Sequence, residues 1–417
     1  MKVFLRYCIV FFGLVAGYLL FGILSNLLPN GPILRHAQET LVKEDLNVDY
    51  GFAFVHRPVF YTDNYTDALI INQACCGGRD GLMNNVLLVP RRAGEGIEQT
   101  PALKGLLNDD GPEVYINYPR YWHGSTFLMR FLLTIDDYVG LRIFFYLLSS
   151  LLMLWALVAV GRRLGMWVSA LWLLSMVLVM AFMMQFSIQF LPVLMISVCA
   201  VLWVVYRVKD AKGMAMLMFV VGSLTAYFDL LTCPMVTWGV PMCVWLVKER
   251  REHAAHPLVG GLLQWGGISL LWAVGYGATW VGKWLLATLA TPVNVMSDGL
   301  NEFGIRAGGG EDFTRWDALM QNAGQIHWPY FCITLLVLLV LVFLKFDRKG
   351  LKTALMLLLT AIVPCVWYMA TANHSYLHFW FTFRSMMVVL LALLLSVACL
   401  TDWERLPRLL KNRGGTQ

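Results

Sequence analysis

The chain of 417 residues is poor in charge. Lys, Arg, Asp and Glu make up 14% of it, against 59% hydrophobic residues. A soluble domain carries about 25% charged residues, so an ordinary soluble globule is excluded. Alternating hydrophobicity is missing too: the apolar runs are continuous, which excludes a membrane β-barrel. The nine cysteines do not form a disulfide framework. Cys8, Cys199, Cys243, Cys332, Cys365 and Cys399 fall inside apolar runs as small hydrophobes, leaving Cys75, Cys76 and Cys233 outside them. No Cys/His spacing resembles a zinc site. There is no P-loop, nucleophile elbow, His-Glu-x-x-His or dinucleotide fingerprint, which sets aside ATPases and serine hydrolases. No internal repeat is visible, against transporters built from duplicated halves.

What is present is a series of apolar runs long enough for membrane helices, which need about 20 residues each. They lie at roughly 7–28, 138–160, 165–185, 187–206, 214–232, 235–247, 258–288, 328–345, 351–372 and 379–400. The fold class this predicts is an all-α polytopic membrane protein of about ten transmembrane helices, with a large extracytoplasmic loop between the first and second. The division along the chain is a first helix in 1–28, the loop at 29–137, helices two to seven in 138–290, a second outer loop at 291–327, helices eight to ten in 328–400 and a basic tail at 401–417. The fifth and sixth runs are joined by the polar turn Phe228-Asp229-Leu230-Leu231-Thr232-Cys233-Pro234, which also suits a re-entrant hairpin.

Lys and Arg set the orientation. Arg162 and Arg163, Arg207, Lys209 and Lys212, Lys248, Arg250 and Arg251, and Lys345, Arg348, Lys349 and Lys352 fall on one side if there are ten spans, with Lys2, Arg6 and the tail residues Arg405, Arg408, Lys411 and Arg413. Both termini are then cytoplasmic, and the two long loops face outward. The net charge of +6 belongs to this topology and not to a nucleic-acid partner. Short polar loops and a basic cytoplasmic side suit a bacterial inner (plasma) membrane. The first run is read as an uncleaved helix, because no small-x-small cleavage site follows it.

The first loop is not low-complexity. Apolar and aromatic stretches such as Tyr50-Gly51-Phe52-Ala53-Phe54-Val55 and Val86-Leu87-Leu88-Val89 predict that it folds against the membrane helices. Thr66 to Ala74 reads as a short helix capped by Thr66 or Asp63. Pro101 to Leu107 reads as a second, and Tyr121 to Leu133 as a helix along the interface. In the second loop, Gly308-Gly309-Gly310 lacks the Lys-Ser/Thr of a phosphate cradle and predicts a flexible gating segment.

Five places can carry chemistry. Asp63 and Asp67, four apart, can share a helix face. One carboxylate can act as general base while the other orients the acceptor or binds a cation; the alternative is two solvated acids capping a helix. Arg120 and His123 sit among Tyr118, Tyr121 and Trp122, a mixture suited to a sugar ring or lipid phosphate and equally to an interfacial aromatic belt. Asp229 stands alone between apolar runs. Lys283, flanked by Trp280 and Trp284, can hold a lipid phosphate or snorkel to the surface. The segment Asn373 to Arg384 brings His374, His378 and an arginine just inside the last span, where a cation needs an anionic partner, whether a phosphate or a carboxylate of the chain.

This layout resembles the C-type (GT-C) integral membrane glycosyltransferases, which have many spans and a large first outer loop directly after the first helix. The resemblance covers the whole chain as architecture, and its motifs are short. It implies transfer of a sugar from a polyprenyl-phosphate-linked donor, at the outer face, to a glycan, lipid or protein acceptor, with membrane lipid as the other partner. An acid of the first loop would be the base, here Asp67 or Asp63. Asp67 is favoured, because Ala68-Leu69-Ile70-Ile71 would hold it on a rigid helix. These acids lie farther from the first helix than the close acidic pair common in that family, and the chain lacks the soluble C-terminal domain of some members. Arg384, His374, Lys283 and Arg120 are candidates for the donor phosphates by chemistry alone. Asp63 and Asp67 could also hold a divalent cation, Mg or Mn, although nothing in the sequence requires one. The competing readings are a transporter or flippase for an anionic lipid or solute, and an envelope-glycan acyltransferase using His374 or His378.

Overall fold

A computed structural model describes residues 2–43, 50–52, 60–79, 81–93, 99–110, 113–252, 257–310 and 312–403. The basic tail beyond Trp403 and the stretch Ala53-Phe54-Val55 lie outside them. In chain order the helices are α1 (Lys2–Asn26), α2 (Asn30–Lys43), α3 (Asn64–Cys75), α4 (Leu82–Leu88), α5 (Gln99–Asn108), α6 (Gly124–Leu132), α7 (Tyr138–Leu164), α8 (Met166–Leu178), α9 (Leu191–Tyr206), α10 (Ala211–Phe228), α11 (Met235–Glu252), α12 (Leu258–Ala290), α13 (Val295–Ala307), α14 (Arg315–Ala323), α15 (Trp328–Leu344), α16 (Leu351–Ala370), α17 (Ala372–Leu377), α18 (Phe379–Thr382) and α19 (Met386–Ala398). The fold is mostly helical but not wholly so. Two antiparallel pairs, β1 (Tyr50–Phe52) with β2 (Tyr61–Asp63) and β3 (Pro90–Arg92) with β4 (Tyr115–Asn117), tie down the segment after α2.

By length and composition, six helical stretches can cross a membrane: α1, α7, α10, α12, Arg348–Ala370 and Phe379–Ala398. The pair α14 and α15, bent by 81° between them, makes a seventh if counted as one span. The chain is thus built as an integral multi-pass membrane protein. The expected ten spans are not reached on this criterion, for local reasons. The run 165–185 is cut short: α8 starts after Gly165 at φ +120°, and its 13 residues give way to a 3-10 turn behind Met180, itself left-handed at φ +47°. α9 has 16 residues. α11 ends in the charged run Lys248-Glu249-Arg250-Arg251-Glu252. By contrast α12, at 33 residues, is about 50 Å long, well beyond the roughly 30 Å hydrocarbon core.

The centre of the bundle is α11 against α19, which is buried along almost its whole length. α8, α9 and α16 pack around them, and α10 and α12 form the tightest helix pair. There a Cβ at Gly222 would collide with the Trp272 carbonyl, and one at Gly275 with that of Phe219. Only glycine lets the two backbones touch.

The polar segment after α1 folds onto one end of this bundle. α3 is buried on every side, from Asn64 to Cys75 except Tyr65; of the two caps the sequence offers, Asp63 is the one used, and the helix starts two residues before the expected Thr66. The expected interfacial helix begins at Gly124 instead of Tyr121, because His123 is left-handed (φ +60°). Its flank is buried: Tyr121, Trp122, His123 and Arg130 are all within the core. The second long connection is also more ordered than the flexible gate expected of it. It holds α13 and α14, with a capping box of Thr314 and Asp317 opening the latter. The glycine run is pinned where the Asn373 amide donates to the Gly308 carbonyl at 2.9 Å.

Candidate functional site

Asp67 sits one turn into α3 and is fully buried. Its Oδ2 accepts from the Tyr138 hydroxyl and, at 3.5 Å, from Arg142 of α7. Its Oδ1 accepts from the Ser187 hydroxyl at 2.9 Å and the Gln189 amide at 3.2 Å. Arg142 also donates to Tyr138 Oη at 3.0 Å and Asn64 Oδ1 at 3.2 Å. Burial pushes the Asp67 carboxyl up; Arg142 and the hydrogen bonds pull the other way. With each oxygen enclosed by donors, this side chain fastens α3 to α7 and to the turn before α9.

Asp63 is bound more lightly. Oδ1 accepts from the Thr66 amide and Oδ2 from the Thr66 hydroxyl, both at 2.9 Å, which among the described residues leaves a lone pair on each oxygen. Burial raises its carboxyl to about 7, with the Asp67 charge adding and Thr66 and Arg384 opposing. Arg384, between α18 and α19, is fully buried. Its Nη1 donates to the Trp380 carbonyl at 3.1 Å and Nη2 to the Tyr61 carbonyl at 3.5 Å. Its Cζ lies 4.6 Å from the centre of the Phe190 ring, and Nε has no hydrogen-bond partner among the described residues.

The turn from Asp229 to Pro234 closes the other side. Asp229 caps it, accepting from the Thr232 hydroxyl at 2.5 Å and the Thr232 amide at 3.0 Å; burial raises its carboxyl to about 6 against these bonds. Both the Asp229 and Arg384 charges are felt at Cys233. Leu231 is left-handed at φ +68°, which costs a non-glycine residue about 1–3 kcal/mol. Its carbonyl accepts from His374 Nε2 at 2.7 Å, so that nitrogen carries the proton. His378 lies 4.8 Å from His374 ring to ring, and its Nδ1 has no partner among the described residues. Burial holds both imidazoles below the ordinary range, His378 at about 4. Arg306 of α13 is near enough for both to sense its charge, while donating to Tyr121 Oη at 2.6 Å.

The structure therefore gathers Asp63, Asp229, His374 and Arg384 of the sequence candidates at one end of the bundle. It sets the others apart in supporting contacts. Lys283 Nζ donates to the Leu87 carbonyl at 2.8 Å and the Val86 carbonyl at 3.2 Å, serving the C-terminal end of α4. Arg120 pairs with Glu302 at 2.5 Å and Asp298 at 3.3 Å. His123 bonds the Tyr118 carbonyl at 2.6 Å. Sequence reasoning missed Arg306, Tyr138, Arg142 and Ser187. Arg306 carried one signal, a basic residue just before the glycine run of the second long connection. Ser187 had none, since only the turn after α8 brings it to Asp67.

The cation that Asp63 and Asp67 could hold does not fit here. Both Asp67 oxygens face donors, one of them a guanidinium, and that arrangement repels a metal ion. Among the described residues no three His, Cys, Asp or Glu side chains converge. What the cluster offers is one lightly held carboxyl beside buried cations and neutral imidazoles, suited to proton abstraction next to an anionic group. No protein-family model, curated protein or solved structure matches this chain.

Proposed function

We propose that this protein is a membrane glycosyltransferase that moves a sugar from a polyprenyl-phosphate-linked donor to a glycan, lipid or protein acceptor at the outer face of the membrane. The observation that carries the reading is Asp63: a buried carboxyl with lone pairs left over among the described residues, in the field of Arg384, where β2 and the start of α3 lie beside the turn that leads into α19. In the ten-span topology α8, α9 and α11 join the seven longer spans, both termini are cytoplasmic, and this end faces outward.

Asp63, not the enclosed Asp67, is the base in this reading. Its carboxylate draws a proton from the acceptor hydroxyl. The oxygen attacks the anomeric carbon, the bond to the lipid phosphate breaks, and the configuration inverts. Arg384 and Arg306 stabilise the departing phosphate, where pre-placed cations in a dry site count most. His378 supplies a ring nitrogen. Asp67 positions α3 so that Asp63 keeps its place.

Purified protein in lipid, offered a panel of polyprenyl-phosphate sugars, should transfer sugar, and Asp63→Asn should lower this about 10²- to 10⁴-fold while Asp67→Asn impairs folding first. Donor crossing the bilayer without transfer would point to the flippase. The buried pair His374 and His378 favours a second reading, the envelope-glycan acyltransferase. Acyl transfer lost in His378→Ala but kept in Asp63→Asn would establish that one.

A further inference from the structure

At the end of the bundle remote from Asp63, a cleft of about 530 Å³ opens between α1, α10 and α12. That volume is in the range of small-molecule sites. Its walls are apolar, with Tyr7, Met216 and Ile268 among the lining residues. Gly267 also lines it, and a Cβ there would meet nothing within 4 Å. α1, α10 and α12 are all long and apolar enough to cross a membrane, which sets the inner part of this groove at the depth of acyl chains and its mouth at the helix ends.

The mouth is cationic. Lys2, Arg6 and Lys212 line it, and all three are exposed with no ion pair among the described residues. The carboxylate nearest in sequence, Asp210, is engaged in capping α10, accepting from the Gly213 amide at 2.7 Å. The N-terminal ends of α1 and α10 lie here as well, adding the positive poles of two helices. An apolar slot within the bilayer beneath an unpaired cluster of cations calls for a ligand that is apolar along its length and anionic at its head.

We infer that this cleft binds one anionic phospholipid, its acyl chain in the slot and its phosphate on Lys2, Arg6 and Lys212. The site is separate from the proposed catalytic end and stands whether or not the glycosyltransferase reading does. Arg6 can fork onto two phosphate oxygens, and the lysines act as point charges. Cations near an anionic lipid surface contribute on a scale that makes each worth about fivefold in binding.

The test is native mass spectrometry of the full chain, delipidated and then given phosphatidylglycerol or phosphatidylcholine with the same acyl chains. Wild type should keep phosphatidylglycerol preferentially. Lys2→Gln, Arg6→Gln and Lys212→Gln should each lose about fivefold and the triple variant about a hundredfold. Gly267→Leu, which fills the slot and leaves the cations, should also weaken retention. All four positions are exposed, so folding is expected to survive, and circular dichroism checks it. Equal retention of the two lipids, undiminished binding in the triple variant, or displacement by inorganic phosphate at matched ionic strength would each overturn the inference, the last because it would make the acyl chain irrelevant.

Discussion

Replacing Asp63 by Asn separates catalysis from stability. Asn caps a helix about as well as Asp: its Oδ1 can still accept from the Thr66 amide, while its Nδ2 donates to the Thr66 hydroxyl oxygen. What changes is the proton. Burial lifts the Asp63 carboxyl from an ordinary 3.8 to about 7, so between these values the folded protein holds a proton that the unfolded chain has released. Stability is therefore intact below about pH 4, falls as pH rises towards 7, and stays lower above it. The gap corresponds to about 4 kcal/mol at 1.36 kcal/mol per pH unit. The amide of the variant cannot ionise and escapes the loss. Asp63→Asn should thus match wild type at pH 4 and be more stable at pH 8, by up to about 4 kcal/mol, while sugar transfer drops about 10²- to 10⁴-fold. Unfolding of the purified protein in detergent, followed by circular dichroism across that range, measures the first effect; a donor-transfer assay measures the second. A stability difference that does not grow with pH, or that reverses, would refute the reasoning, because it would mean that the carboxyl is not isolated from water as the fold requires.

Three further outcomes follow from particular contacts. Arg130 donates to the carbonyls of Ser25, Leu28 and Ala74 and to Asn30 Oδ1, and a Cβ on Gly77 would collide with its guanidinium. Gly77→Ala and Arg130→Met should each cost about 1–3 kcal/mol or more in thermal unfolding, and the double variant should cost less than the two together. Lys283→Met should leave the Val86 and Leu87 carbonyls unpaired and lower stability by about 1–3 kcal/mol, without changing KM for any donor; a raised KM would return Lys283 to the site. Arg384→Lys keeps the charge but loses the planar fork, so KM for the phosphate-bearing donor should rise at least tenfold, with circular dichroism unchanged.

Hydropathy made the membrane class and most helices readable, because lipid imposes a simple test on long segments. It failed where helices stop for backbone reasons. Nothing in the apolar run 165–185 announces the left-handed Met180 that ends it. A cap at Asp63 or Thr66 was legible because capping is local, and the fold selects Asp63. That Asp67 is enclosed by donors while Asp63 is lightly held was not, since it depends on Tyr138, Arg142, Ser187 and Gln189 arriving from distant parts of the chain. Lys283 and Arg120 have the composition of phosphate ligands, and only the fold reveals that a helix end and α13 already occupy them.

Among the described residues, Arg130 is held by four oxygens and no carboxylate, and Arg384 by two carbonyls with Asp63 half-titrated near neutrality. Carbonyl dipoles solvate a cation without cancelling it. A dipole's potential dies away faster with distance than a monopole's, so beyond the first shell the guanidinium charge survives. In a medium poorer than water in screening, that charge reaches the neighbouring groups: Arg384 pulls against the burial that raises Asp63 and is felt at Cys233.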